Sequence, residues 1–345
     1  MSDRIFNIGH QDTFIRRMIR RPTFAPLVAL LLLLLYNLLF TPNFAQLEIR
    51  EGRVFGSLID VLQNGTPVML LATGMTLVIA TAGIDLSVGS VMALAGAVAA
   101  LLITSAGQPL WVALSAALAC AVAVGIWNGL LVTRVGLQPI VATLVSLVAI
   151  RGIAQTLSSD QKVRFEYPAF EFLGNGTLFG LPFSIFLAAA VVGLVMLLLR
   201  KTVLGMYIEA VGGNPRAARL CGLRVNTIRV AVYAFCGLCA GLAGLIVTAD
   251  IKEADVANCG LYLELDAILA VVIGGTRLTG GRPILLGALL GALIMQTLTI
   301  MLQMRGVVTE HTLIIKALVA LLVCTLQAPG LTGLVRRWAH AGGRV

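Results

Sequence analysis

Side chains able to do chemistry are few in this sequence, and the most isolated is Asp85, within TLVIATAGIDLSVGSVMALAGA (Thr76–Ala97). A carboxylate in an apolar stretch admits two readings. It can couple transport to a proton or ion, since charge inside a membrane is costly and usually functional. It can also work structurally: Asp85 or Ser87 would cap the following helix, whose N-terminal end favours a carboxylate, within a turn flanked by Gly83 and Gly89. Capping is the simpler reading. The other candidates are weaker. Cys236 and Cys239 form a C-x-x-C pair inside an apolar helix pattern with no second ligand pair following, which indicates packing instead of metal or redox chemistry. The histidines, His10, His311 and His340, are dispersed, and neither H-E-x-x-H nor G-x-S-x-G occurs, so a membrane-embedded enzyme ranks last. GGTRLTGGR (Gly274–Arg282) is glycine-rich but lacks the lysine of a phosphate-binding loop, and no G-x-x-x-x-G-K-[ST] is present. The chain carries no nucleotide motif, metal-ligand set or cofactor signature of its own.

The elements that must position these residues are apolar. Of 345 residues 59% are hydrophobic and 12% charged, against about 25% charged in a soluble domain. The net charge of +9 does not indicate nucleic-acid binding, because the basic residues lie between apolar runs. Crossing the hydrocarbon takes about 20 residues. Spans are predicted near 25–41, 61–82, 87–105, 110–132, 138–157, 183–199, 228–249, 264–277, 284–304 and 312–328, with the third and eighth the candidates for re-entrant segments. The predicted fold is an all-α polytopic membrane protein of about ten transmembrane helices (8–10). Arg16, Arg17, Arg20 and Arg21 place the N-terminus in the cytoplasm, ahead of an uncleaved first span. Arg200, Lys201, Arg216, Arg219, Arg224 and Arg229 place the 200–229 connection there too, and Arg336, Arg337 and Arg344 the C-terminus. The organisation is then a basic segment (1–24), one membrane domain (25–328) and a basic tail (329–345). Gly125/Gly129, Gly237/Gly241 and Gly287/Gly291 predict close helix packing. GIDLSVGS (Gly83–Ser90) is weakly echoed by GTRLTGGR (Gly275–Arg282), a hint of an internal repeat.

One connection stands out. In GMYIEAVGGNPRAARLCGLRV (Gly205–Val225), Asn214 is a good N-cap, Pro215 suits the first helical position and Gly222 suits the terminator. A helix of about seven residues is not stable alone, so this one calls for a docking surface.

TAGIDLSVGS, EAVGGNPRAARLCG and LELDAILAVVIGGTRLTGG, in this order and spacing, resemble the permease subunits of bacterial ABC importers for monosaccharides, the ribose/xylose/galactose-type family. The resemblance runs from about 53 to 327, and EGRVFGSLIDVL and VTADIKEADVANCGLYLELDAILAVVIGG are most similar to its galactofuranose-type branch. It implies a multi-pass protein of the bacterial inner membrane whose 205–225 loop docks on an ABC ATPase subunit. Glu209, Ala210, Gly212, Asn214, Ala217, Ala218 and Gly222 match the coupling segment. It further implies a second permease subunit, the same or paralogous, a periplasmic sugar-binding protein, and ATP with magnesium on the ATPase alone. Sugar contacts call for amides, hydroxyls and an aromatic face. The candidates are Asn64, Thr66, Trp127, Asn128, Gln155, Gln296 and Thr297, each of which could equally serve an interhelical hydrogen bond. Arg151, Glu264 and Asp266 lie near predicted span ends, where they could snorkel or pair. An ion-coupled secondary sugar transporter is the alternative. It has no need of the capped helix after Asn214.

Overall fold

A computed structural model of the chain describes residues 23–327, apart from 42, 43, 45, 47, 51 and 52. The basic segment ahead of Thr23 and the tail after Gln327 lie outside the described residues. The chain is helical, with three two-stranded ribbons in its connections. In order, the elements are α1 (Phe24–Phe40), β1 (Glu48–Arg50), β2 (Arg53–Phe55), α2 (Ser57–Ala80), α3 (Val88–Thr104) and α4 (Leu110–Leu130). A π-turn (Leu131–Val135) extends α4 before α5 (Pro139–Leu157). Next come β3 (Val163–Arg164), α6 (Pro168–Asn175), β4 (Thr177–Leu178), β5 (Leu181–Pro182) and α7 (Phe183–Lys201). The chain continues with α8 (Val203–Gly213), α9 (Pro215–Leu220), α10 (Val225–Ile251), β6 (Glu253–Ala254), α11 (Leu263–Ile273), α12 (Leu285–Met304) and α13 (Thr309–Gln327).

A helix occupies each of the ten predicted spans, displaced at its ends by a few residues. Among the described residues six helices are long and apolar enough to cross a membrane: α2, α4 with its π-turn, α5, α7, α10 and α12. The two candidates for re-entrant segments are among the shorter helices, as is α1 with 17 residues. α3 has 17 residues and α11 only 11, so α11 covers about 16 Å at 1.5 Å per residue, half the hydrocarbon thickness.

α10 is the centre of the bundle, with α2, α3 and α4 packed around it. In lipid no hydrophobic force drives helix to helix, so close main-chain approach takes its place. The predicted glycine pairs supply it. A Cβ at Gly125 would lie 2.9 Å from Ala234 Cα, and one at Gly129 would lie 2.8 Å from Val230 Cα, both on α10. Gly237 and Gly241 return the contact from α10 to Ala121 of α4. Gly74 of α2 meets Cys236, and Gly244 meets Met92 of α3. Cys236 and Cys239 are therefore buried packing residues, as their setting predicts. Gly287 and Gly291 play the same part between α12 and α11, against Gly274 and Ala270.

The ribbon β3·β6 joins connections distant in sequence, pairing Val163 with Ala254 and Arg164 with Glu253. Arg164 and Lys162 reach Glu253 at 3.1 and 3.3 Å and hold its carboxyl below the usual range. Lys162 also reaches Asp255 at 2.7 Å, and Lys252 reaches Glu171 at 2.6 Å.

Candidate functional site

α7 ends on Arg200 and Lys201, and the chain turns at Thr202, whose hydroxyl accepts the Leu204 N–H at 3.2 Å to start α8. This helix is unexpected, since the caps in the sequence place one only after Asn214. There the expectation holds. Asn214 Oδ1 accepts the N–H groups of Arg216 and Ala217, each at 3.1 Å, and Pro215 opens α9. Gly222 takes the left-handed conformation (φ 83°), and Leu223 N–H returns to Ala218 O at 3.0 Å.

The two alanines differ. Ala218 is 4% exposed and packs with Val211 and Val225, with Leu223 alongside. Ala217 faces outward with Arg216, Arg219 and Leu220, which is 90% exposed. Both belong to the predicted coupling segment; the helical register separates them, so a bulky residue at 218 would test packing and one at 217 would test the outer face. Glu209 and Ala210 are exposed and Gly212 is buried.

Gly212 is where the three motif segments meet. A Cβ there would overlap the Ala80 carbonyl oxygen and lie 2.6 Å from the Gly281 nitrogen. Gly281 N–H donates to that same Ala80 oxygen at 2.9 Å. Ala82 lies beside Gly280, and the Thr276 hydroxyl accepts the Ile284 N–H at 3.1 Å, closing the second glycine turn. The two segments that echo one another in sequence are thus neighbours in space.

The Asp85 turn is closed by hydrogen bonds of a form slightly different from the predicted cap. Asp85 is buried, and its Oδ1 accepts Ser87 N–H at 2.9 Å and the Ser87 hydroxyl at 2.7 Å. Neither side chain accepts an N–H of α3. Asn128 Nδ2 donates to Ser87 Oγ at 2.8 Å, and Tyr233 and Thr143 hydroxyls each donate to Ile84 O at 3.3 Å. Gly83 sits against the hydroxyl end of Tyr233. α4, α5 and α10 therefore all hold this turn.

A second irregular segment, 255–262, enters the bundle. Gly260 (φ 71°) lies against Gly89 at the start of α3, while Gly96, two turns on, touches Thr248 near the end of α10. The contact is therefore about 10 Å inward from the Thr248 level, at 1.5 Å per residue. Non-helical backbone at such depth persists only where its polar groups are satisfied within the protein. Arg151 does this: one guanidinium nitrogen donates to Val256 O at 2.8 Å and to Cys259 O at 2.7 Å. Asp255 receives Asn258 N–H at 3.2 Å and Asn258 Nδ2 at 2.9 Å. α11 follows, and its Asp266 forms a buried ion pair with Lys316 of α13 at 2.7 Å. Of the two options open to Arg151 and Asp266, both take pairing. Lys316 was not foreseen, since it sits fifty positions from its partner in an ordinary apolar pattern.

The polar path candidates do not converge. Gln296 of α12 packs against Gly65 of α2, which brings the two helices bearing Asn64, Thr66, Gln296 and Thr297 together. Thr66 is buried and bonded to Leu62 O at 3.0 Å, Asn64 is exposed and bonded to Asp60 O at 3.0 Å, and Thr297 is buried. Trp127 is 57% exposed on α4, and Gln155 is half-buried on α5. Asn128 belongs to the Asp85 turn.

A multi-spanning helical bundle, built around glycine turns and a capped external helix, is the architecture of a membrane permease. The family model described as the permease component of the branched-chain amino acid transport system matches residues 57–324, and the chain belongs to that family. It is 49% identical to the galactofuranose transporter permease protein of Escherichia coli K12, over 93% of this chain and 94% of that protein. It is 41% identical to the fructose import permease protein of Bifidobacterium longum (92% and 91% covered) and 40% identical to the ribose import permease protein of E. coli K12 (86% and 90%). The resemblance carried by the three motifs is borne out, and these relatives are transport components, not enzymes.

Proposed function

We propose that this chain is the membrane subunit of an ATP-binding-cassette importer that carries a monosaccharide, galactofuranose or a related pentose or hexose, across the bacterial inner membrane. Ten spans or span-like segments with both termini cytoplasmic fit the ten helices and the placement of arginine in the sequence. A separate ATPase subunit binds ATP and magnesium. A second permease subunit completes the pathway, and a periplasmic binding protein delivers the sugar. The observation that carries the reading is α9: a short helix, capped at both ends, with a leucine and two arginines turned outward. α8 connects it, through Gly212, to the turns at Ala80 and Gly281. Force applied to α9 by a closing ATPase would reach both turns through main-chain contact. Glu209, Ala210, Asn214 and Ala217 provide the docking face in this scheme, while Gly212, Ala218 and Gly222 shape it.

The test is co-expression with the neighbouring ATPase and permease genes, followed by vanadate-sensitive ATP hydrolysis with and without the sugar-loaded binding protein. Stimulated hydrolysis by a stable complex supports the proposal; absence of any co-purifying ATPase overturns it in favour of ion coupling. Ala217→Trp is expected to cut sugar uptake at least about tenfold while the protein remains inserted, because an indole on the outer face blocks a close-fitting groove. Wild-type uptake by that variant would remove α9 from the mechanism.

A further inference from the structure

Three apolar helices begin or end at one corner of the bundle. Thr23 before α1, Arg200 in the last turn of α7 and Leu285 at the start of α12 border a cavity of about 520 Å³, and α8 closes its remaining side. The walls are apolar, with Met196 and Leu199 from α7 and Leu286 from α12. Polar groups gather at the rim: the exposed guanidiniums of Arg200 and Arg282, and the carboxylate of Glu209. None of the three has an ion-pair partner among the described residues, which leaves the rim with an excess of one positive charge.

Helix ends mark the level at which hydrocarbon gives way to water. A slot there with greasy walls and unpaired arginines matches a molecule that is apolar along its length and anionic at its head. Guanidinium groups suit phosphate oxygens, which they can bind in pairs. We propose that this cavity binds an anionic phospholipid, with its phosphate between Arg200 and Arg282 and its acyl chains along Met196, Leu199 and Leu286. A zwitterionic lipid presents the same phosphate, but its ammonium cancels the attraction to the basic rim. Because α8 forms one wall, an occupied site would stiffen the connection leading to α9. The rim shares Glu209 with the proposed docking face, so the lipid is tested on the chain without the ATPase.

Native mass spectrometry of the purified full chain tests this, with equal amounts of phosphatidylglycerol and phosphatidylcholine added in detergent. Wild type is expected to retain phosphatidylglycerol preferentially. The double variant Arg200→Gln/Arg282→Gln should lose about tenfold of that retention, whereas Arg200→Lys/Arg282→Lys keeps most of it. If the double glutamine variant fails to elute as a folded species, each single variant should show a smaller loss in the same direction. Equal retention of the two lipids by wild type would overturn the proposal, as would unchanged phosphatidylglycerol retention by the glutamine variants. Displacement of the adduct by inorganic phosphate would assign the rim to the free anion and likewise overturn it.

Discussion

Replacing Arg151 with alanine is expected to destabilise the chain by about 3–5 kcal/mol and to open Cys259 to thiol reagents, because two buried carbonyls lose a charged donor worth roughly 1.5–3 kcal/mol each. The clamp ties α5 to the 255–262 segment through two hydrogen bonds from one nitrogen, at a depth where backbone polar groups must be satisfied within the protein. Cys259 is buried in the native protein. Maleimide labelling in a background with Cys120, Cys221 and Cys324 changed to serine reads the opening directly, since Cys236 and Cys239 stay buried in α10. Arg151→Lys should rescue part of the protection, as an ammonium can still donate to the two oxygens from one nitrogen but sits on a flexible stem without the rigid planar guanidinium. Labelling of the alanine variant no faster than wild type would show that the segment holds itself.

Gly212→Val is expected to abolish coupling and to free α8 for proteolysis. Ordinary overpacking costs about 1–3 kcal/mol because neighbouring side chains yield. Here the obstacles are the Ala80 carbonyl and the Gly281 amide, main-chain groups already bonded to each other, so the cost lies above that range. The adjacent Gly213 is the control. A Cβ there meets nothing within 4 Å, and Gly213→Ala should leave transport intact and raise stability by about 0.4–1 kcal/mol. Limited proteolysis between 200 and 225, together with uptake, separates the two positions. Equal behaviour of both variants would mean that α8 is not seated on the glycine turns.

The predicted spans were legible because they are long and apolar: the first is expected at 25–41 and observed at Phe24–Phe40. Asn214, Pro215 and Gly222 announced α9 through their own backbone preferences. α8 gave no such notice, since Gly205, Gly212 and Gly213 weaken its helical pattern and Thr202 is a modest cap. The β3·β6 ribbon is two residues per strand, too short for an alternating pattern to appear. Arg151 could not be assigned a partner from sequence because its acceptors are carbonyls, which every residue carries. Asn128 has the chemistry of a sugar ligand, and only the folded chain reveals that it is committed to Ser87, forty-one positions away.

Large side chains that interlock behave like gear teeth, and sliding one helix past another must unmesh them. Around α10 the mating surfaces are instead main chain on main chain, at Gly125, Gly129 and Gly244, with Gly74 against Cys236. Such a surface works as a plain bearing: it resists separation but offers little friction to a small slide or roll. α10 has 27 residues, about 40 Å of shaft at 1.5 Å per residue, with the α9 connection at one end and the β3·β6 ribbon at the other. A displacement of one end would travel along this shaft to the opposite face, carrying with it the Tyr233 hydroxyl that holds Ile84.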